Sequence, residues 1–329
     1  LRVVDAPRAC VPLDTAARIA TWSGGQALLP VPPSASRGQA RVPVLHRDGG
    51  RAPLIVFAGK GGVGKTTCSA SVALQLARRE KVTLLSVDPA HSVRDVFANQ
   101  SPPPNLTVET IDTRAKWRHF RDTLGEQIDR AIGGLSIAYD SEAMRKLIEV
   151  APPGADELFA ITRLADLIAE GKQVVVDTAP TGHFLRLIDL PKTAGDWVHE
   201  FMRILLRYRE LIPAGTLGEE LLRASRALHL VDETLKSDRC RIVVVTRPER
   251  IVVAETKRLL GELDARGMRA GNVIANYLTP QNDCPCDRSM RGYEMEVLQG
   301  LDVVAIERRD EPPVALDELA SLLPLDSLR

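Results

Sequence analysis

The residues best equipped for chemistry form one short run, Gly59-Lys60-Gly61-Gly62-Val63-Gly64-Lys65-Thr66-Thr67. It fills the G-x-x-x-x-G-K-T pattern that holds a triphosphate when a strand precedes it and a helix follows. Glycines let consecutive backbone N–H groups turn inward around a phosphate without Cβ clashes. The helix N-terminus after the loop adds partial positive charge. Lys65 is placed to reach the β- and γ-phosphates, and the Thr66 hydroxyl to ligate magnesium. Two acidic positions complete the set. One opens Asp88-Pro89-Ala90-His91-Ser92, the other Asp177-Thr178-Ala179-Pro180-Thr181-Gly182-His183. Asp177 follows Val174-Val175-Val176, the form of a magnesium-holding strand end. Asp88 is the candidate for orienting or deprotonating an attacking water. Gly182 is a hinge candidate for a loop that senses the γ-phosphate. His91 and His183 either belong to these switches or bond only to their own loops.

Such a set works only if several strand ends meet at one sheet edge. From Leu54 onward short apolar runs alternate with helical patterns. The candidate strands are Leu54–Ala58, Val82–Val87, Leu106–Ile111, Gln173–Val176, Ile242–Thr246, Asn272–Ala275 and Val303–Ile306. Continuous Val/Ile/Leu runs are those of strands covered on both faces. Strands alternating with helices predict an α/β fold with a doubly wound, mostly parallel sheet. In such sheets ligand chemistry gathers at the carboxyl edge. Two stretches exceed a minimal unit. Residues 114–170 carry Trp117, Phe120, Leu124, Ile128 and Ile132 at helical spacing, and residues 184–236 carry Trp197, Phe201, Leu205, Tyr208 and Ile212 on one stripe. They read as an inserted helical subdomain, whose stripes are either core packing or a surface for clients or dimerisation.

Residues 1–53 hold seven prolines and seven arginines against three aspartates, the texture of an extended lead-in before the domain at 54–329. Lysine plus arginine equals aspartate plus glutamate at 43 each, so no global charge draws the chain to nucleic acid or anionic lipid. Five scattered cysteines are not a disulfide framework and predict a reducing, cytoplasmic setting. No apolar run approaches the roughly 20 residues that span a bilayer.

The combination of Gly59–Thr67, Asp88–Ser92 with Asp95 and Phe97, and Asp177–His183 with Leu185-Arg186 resembles the ArsA family. These are arsenical pump-driving ATPases and the related ATPases that target tail-anchored proteins. The resemblance runs from about residue 54 to 323 and takes in Glu249, Glu255-Thr256 and Asn276. It implies a homodimer or tandem pseudodimer that opens and closes with Mg-ATP, and a membrane channel or receptor as partner. The cargo is either a metalloid or a hydrophobic segment. The protein is then cytoplasmic and peripheral to a membrane through that partner. Lys60 becomes the lysine that crosses to the other subunit's nucleotide, Asp88 the water-activating residue of one switch, and Asp177–His183 the second switch. Asn276 becomes the adenine-reading side chain.

The chain departs from the family in three places. Glu307 stands near a usual proline of the adenine pocket. Residues 69–239 contain no cysteine, where arsenite-activated members place thiolates for a soft metalloid. Cys284-Pro285-Cys286 is one residue shorter than the Cys-x-x-Cys of targeting members. Two such pairs across a dimer would supply four thiolates to zinc; the alternative is a plain loop. A holdase or redox-responsive chaperone with an incidental ATPase, switched by Cys284 and Cys286, is the competing function. Residues 2–20 resemble 303–320, which raises the expectation that the lead-in is the tail of a preceding half in a tandem ATPase.

Overall fold

In this computed structural model the described residues are 54–88, 92–98, 100–112, 157–207, 215–311 and 315–323, with isolated positions among 115–122 and at 313. The lead-in 1–53, the switch residues Pro89, Ala90 and His91, and most of the first predicted helical stretch lie outside them. So do the side chains of Trp197, Phe201 and Leu205, together with Tyr208 and Ile212.

Seven strands form one parallel sheet: β1 (Leu54–Ala58), β2 (Val82–Ser86), β3 (Leu106–Thr110), β4 (Gln173–Asp177), β5 (Cys240–Thr246), β6 (Ala270–Leu278) and β7 (Val303–Glu307). Their spatial order is β3-β2-β4-β1-β5-β6-β7, and every pairing is parallel. The chain leaves β1 toward β2, returns to lay β4 between them, then crosses to β5 on the other side. That reversal opens a crevice at the carboxyl ends of β1 and its neighbours.

Every residue of β1, β2 and β4 is buried, because helices cover both faces. On one face α1 (Lys65–Ala77), α2 (Ser92–Val96) and α8 (Leu316–Ala320) pack on Phe57, Leu84, Val175 and Val243. Small residues let α1 sink in: Cys68 through Ala77 are all buried. The opposite face, with Val56, Leu85, Val176 and Val244, is covered by α3 (Leu158–Ala169), α4 (Thr181–Arg207), α5 (Gly215–Lys236) and α6 (Arg250–Ala265). Leu158, Ile161, Leu164 and Ile168, at helical spacing on α3, join this core, as do Ala224, Leu228, Val231 and Leu235 on α5. The described parts of both predicted helical stretches thus include sheet-covering helices. α7 (Pro285–Val297) follows β6 and buries only Glu294.

Two forked ion pairs tie helices to the scaffold. Arg163 on α3 grips Glu109 on β3 with two bonds of 2.7 Å. Arg266, just past α6, grips Asp189 on α4 at 2.7 and 2.9 Å. Bidentate geometry makes such pairs stronger than ordinary surface contacts.

Strand ends differ from the sequence reading by a few residues. β4 includes Asp177 because its backbone stays in register with Phe57 on one side and Ser86 on the other. β5 and β6 each begin two residues earlier than the apolar run. β6 also runs on to Leu278 through an irregular register, with Tyr277 at φ 72.

Candidate functional site

The glycine loop begins where β1 ends. Gly59 has φ 143, and a Cβ there would lie 2.3 Å from the Val245 carbonyl oxygen. The chain can leave β1 this close to β5 only through glycine. Gly62 and Gly64 are also left-handed, at φ 77 and 99. Gly64 is the N-cap of α1 and offers that helix no side-chain cap, so the helix N-terminus stays open to a ligand.

Asn276 closes the loop from β6. Its Nδ2 donates to the Val63 carbonyl at 2.9 Å and packs against Gly64. On the other side Thr178 donates its hydroxyl to the Phe57 carbonyl at 2.6 Å, and Pro180 stands 3.5 Å from where a Gly61 Cβ would be. The segment after β4 therefore runs beside the phosphate loop, close enough that a side chain at Gly61 would meet Pro180.

Lys65 is 6% exposed, and its Nζ donates to the Lys60 carbonyl at 3.0 Å. Burial pushes its pKa below the usual lysine value, while Asp177 and Asp88 push it back up. Both acids therefore lie within electrostatic reach of this ammonium, at adjacent strand ends. Asp177 is fully buried. Neither carboxylate oxygen completes a hydrogen bond of normal geometry, nor does the buried Ser86 hydroxyl beside it. Burial raises the Asp177 pKa to about 6; loose hydrogen bonding from the Thr66 and Ser69 side chains, short of full geometry, and the Lys65 charge work against that, and Asp88 adds to it. A buried, unsatisfied carboxylate at the mouth of an anion cradle is a donor set suited to a hard divalent cation.

Farther out, Gly182 has open space around it. His183 opens the first turn of α4, with Nδ1 3.5 Å from Glu157 Oε1 and the Arg186 guanidinium against its ring. Glu157 was not singled out by the sequence; only its place just before α3 hinted at it. Arg247, beyond β5, lays its guanidinium 4.3 Å from the centre of the Tyr277 ring. This pair too was invisible in sequence, because it depends on the left-handed backbone at Tyr277. Glu307 engages the segment after β6: its Oε1 accepts from the Gln281 backbone at 3.1 Å and lies 3.9 Å from Arg291.

A family model for anion-transporting ATPases of the ArsA type matches residues 52–302, which contain all of these positions except Glu307. The chain belongs to this family. Among its relatives, an ATPase ASNA1 homolog of Entamoeba histolytica is 29% identical over 279 residues, covering 76% of this chain and 84% of that protein. An ATPase ASNA1 homolog of Dictyostelium discoideum is 30% identical over 251 residues, with 70% and 74% covered. ATPase GET3B of Arabidopsis thaliana is 28% identical over 272 residues, with 70% and 65% covered. The chain is thus an ArsA-type ATPase built on a parallel α/β sheet. No helix among the described residues is long and apolar enough to cross a membrane.

Among the described thiols, Cys68 is buried, while Cys240, Cys284 and Cys286 are each partly exposed. Burial pushes Cys68 on α1 and Cys240 on β5 up to about 12. Cys284 caps α7 and Cys286 lies in its first turn, both half-buried. Among the described residues no group of three or more His, Cys, Asp or Glu is gathered for a metal. Brief alkylation of the folded protein at pH 8 should label Cys284 and Cys286, which lie at the exposed start of α7. Cys68 and Cys240 should react only after denaturation, as read by peptide mass spectrometry.

Proposed function

We propose that this chain hydrolyses Mg-ATP as half of a dimer or tandem pseudodimer. Its opening and closing drives membrane-directed transport from the cytoplasmic side, through a channel or receptor. The observation that carries the reading is the unsatisfied carboxylate of Asp177, buried beside Lys65 at the mouth of the glycine loop.

Loop N–H groups and Lys65 bind the phosphates. The Thr66 hydroxyl and Asp177 are the side chains that would hold magnesium. When bound, magnesium supplies positive charge to the phosphate oxygens as negative charge builds up on them. Asp88 orients the attacking water and takes its proton. Lys60 reaches a phosphate across the dimer, and Asn276 reads the adenine. The segment from Thr178 to His183, whose Pro180 lies beside Gly61, transmits phosphate loss to α4. With Lys65→Ala, ATP affinity should fall about tenfold or more, the worth of a charge-assisted hydrogen bond. Isothermal titration calorimetry measures it.

The cargo is either a metalloid or anion, in keeping with the family's description, or an apolar tail segment. Cys68 on α1 and Cys240 on β5 stand apart, each disfavoured as a thiolate by burial, and only Cys284 and Cys286 are close together in sequence among the described residues. This favours the apolar segment over thiolate-bound arsenite. Four-coordinate zinc would draw both thiols from each of two chains. ATP turnover measured with As(III), Sb(III) and a tail-anchored segment separates the cargoes. Stimulation by metalloid alone would overturn the preference, and absence of any magnesium-dependent turnover would overturn the whole reading.

A further inference from the structure

We propose that Glu255 on α6 is a positioning residue that holds Lys60 away from the phosphate cradle until nucleotide draws it off. The inference rests on reading Lys60 as a phosphate-facing lysine, as above. Lys60 Nζ lies 3.1 Å from Glu255 Oε1, joining residues 195 positions apart. The backbone carbonyl of the same lysine receives Lys65 Nζ at 3.0 Å. Both loop lysines are thus engaged on protein atoms, one on the loop itself and one on a neighbouring helix.

Glu255 is well suited to this task. Its carboxylate is reachable, but its backbone is fixed. The next residue, Thr256, is 3% exposed and donates its hydroxyl to Thr246 on β5 at 2.8 Å. Val252 and Leu259, three before and four after, are 4% and 2% exposed and lie in the sheet core. The charged pair itself is open to water, with side chains 37% and 36% exposed. Such pairs are weak and easily exchanged. A triphosphate, with its higher charge, outcompetes one carboxylate for the lysine. Glu255 therefore sets a modest threshold against nucleotide and leaves the fold untouched.

The test is a double-mutant cycle on ATP binding by the full chain, using Glu255→Gln, Lys60→Ala and the double variant. Glu255→Gln should tighten ATP binding about three- to fivefold, the scale of an exposed ion pair, with no change in thermal midpoint. In the Lys60→Ala background the same substitution should have no effect. A gain that persists without Lys60 would mean a general charge effect and overturn the proposal, as would no gain at all. If Lys60→Ala alone changes neither affinity nor turnover, the phosphate-facing reading of Lys60 falls and the holder falls with it. If Lys60→Ala is impaired while Glu255→Gln is silent, only the holder falls. A gain that grows with protein concentration supports the holder with the phosphate on a second copy; a gain independent of concentration supports it with the phosphate on the same chain.

Discussion

Asp177→Asn is expected to stabilise the nucleotide-free protein at neutral pH while lowering ATP turnover by about a hundredfold or more. The two effects share one cause. Asp177 is fully buried, its oxygens are unsatisfied, and burial raises its pKa from 3.8 to about 6. Between those values the unfolded chain has released a proton that the native state still holds. Stability conferred by this group is therefore fully present below about pH 4. It declines up to about pH 6 and stays lost above that. The shift corresponds to about 3 kcal/mol. Asparagine never ionises, so the variant should melt higher than wild type at pH 7.5, and the gap should close by pH 4. Urea denaturation across pH 4–8 measures it. Mg-ATP should stabilise wild type strongly and the variant little. A variant that is less stable at every pH would refute the account.

Gly59→Ala should be the most destabilising single methyl addition in the phosphate loop, at about 4 kcal/mol. Two costs add there. The backbone sits at φ 143, and the new Cβ would meet the Val245 carbonyl oxygen at 2.3 Å. Neither β1 nor β5 can retreat, since Phe57 and Val245 are fully buried in a paired sheet. Strain of about 1–3 kcal/mol joins an overpacking cost of similar size. Gly62→Ala, at φ 77 with nothing within 4 Å, should cost only the backbone strain, about 1 kcal/mol. Gly64→Ala falls between them, because its Cβ meets the Asn276 amide rather than backbone. Equal denaturation midpoints for the three variants would show that the approach to Val245 does not matter.

The strands could be read because Val and Ile runs shielded on both faces need no partner to be recognised. Their ends could not, because pairing decides them: Asp177 remains strand only through Ser86 and Phe57. The glycine loop was plain in sequence, yet the reason Gly59 must be glycine lies in a carbonyl from β5. The proximity of Asp88 and Asp177 followed from placing two strand ends at one edge. Glu255 stood in the family resemblance without a task, since its contact spans 195 positions. Glu157 and the Arg247–Tyr277 pair carry no local pattern. Their meaning arises only from what the fold sets beside them.

α4 springs from the segment beside the phosphate loop and continues to Arg207, with Pro191 in its interior. Two residues before that proline, Asp189 is clasped by Arg266. The clasp makes a fulcrum, and the missing proline N–H softens the rod at the same place. The arm beyond it, from Asp189 to Arg207, is about 27 Å long. A tilt of about ten degrees would swing its far tip by about 5 Å. On the proposed cycle, a sub-ångström nudge near Pro180 on phosphate loss would be geared up in this way into a displacement as wide as a helical turn.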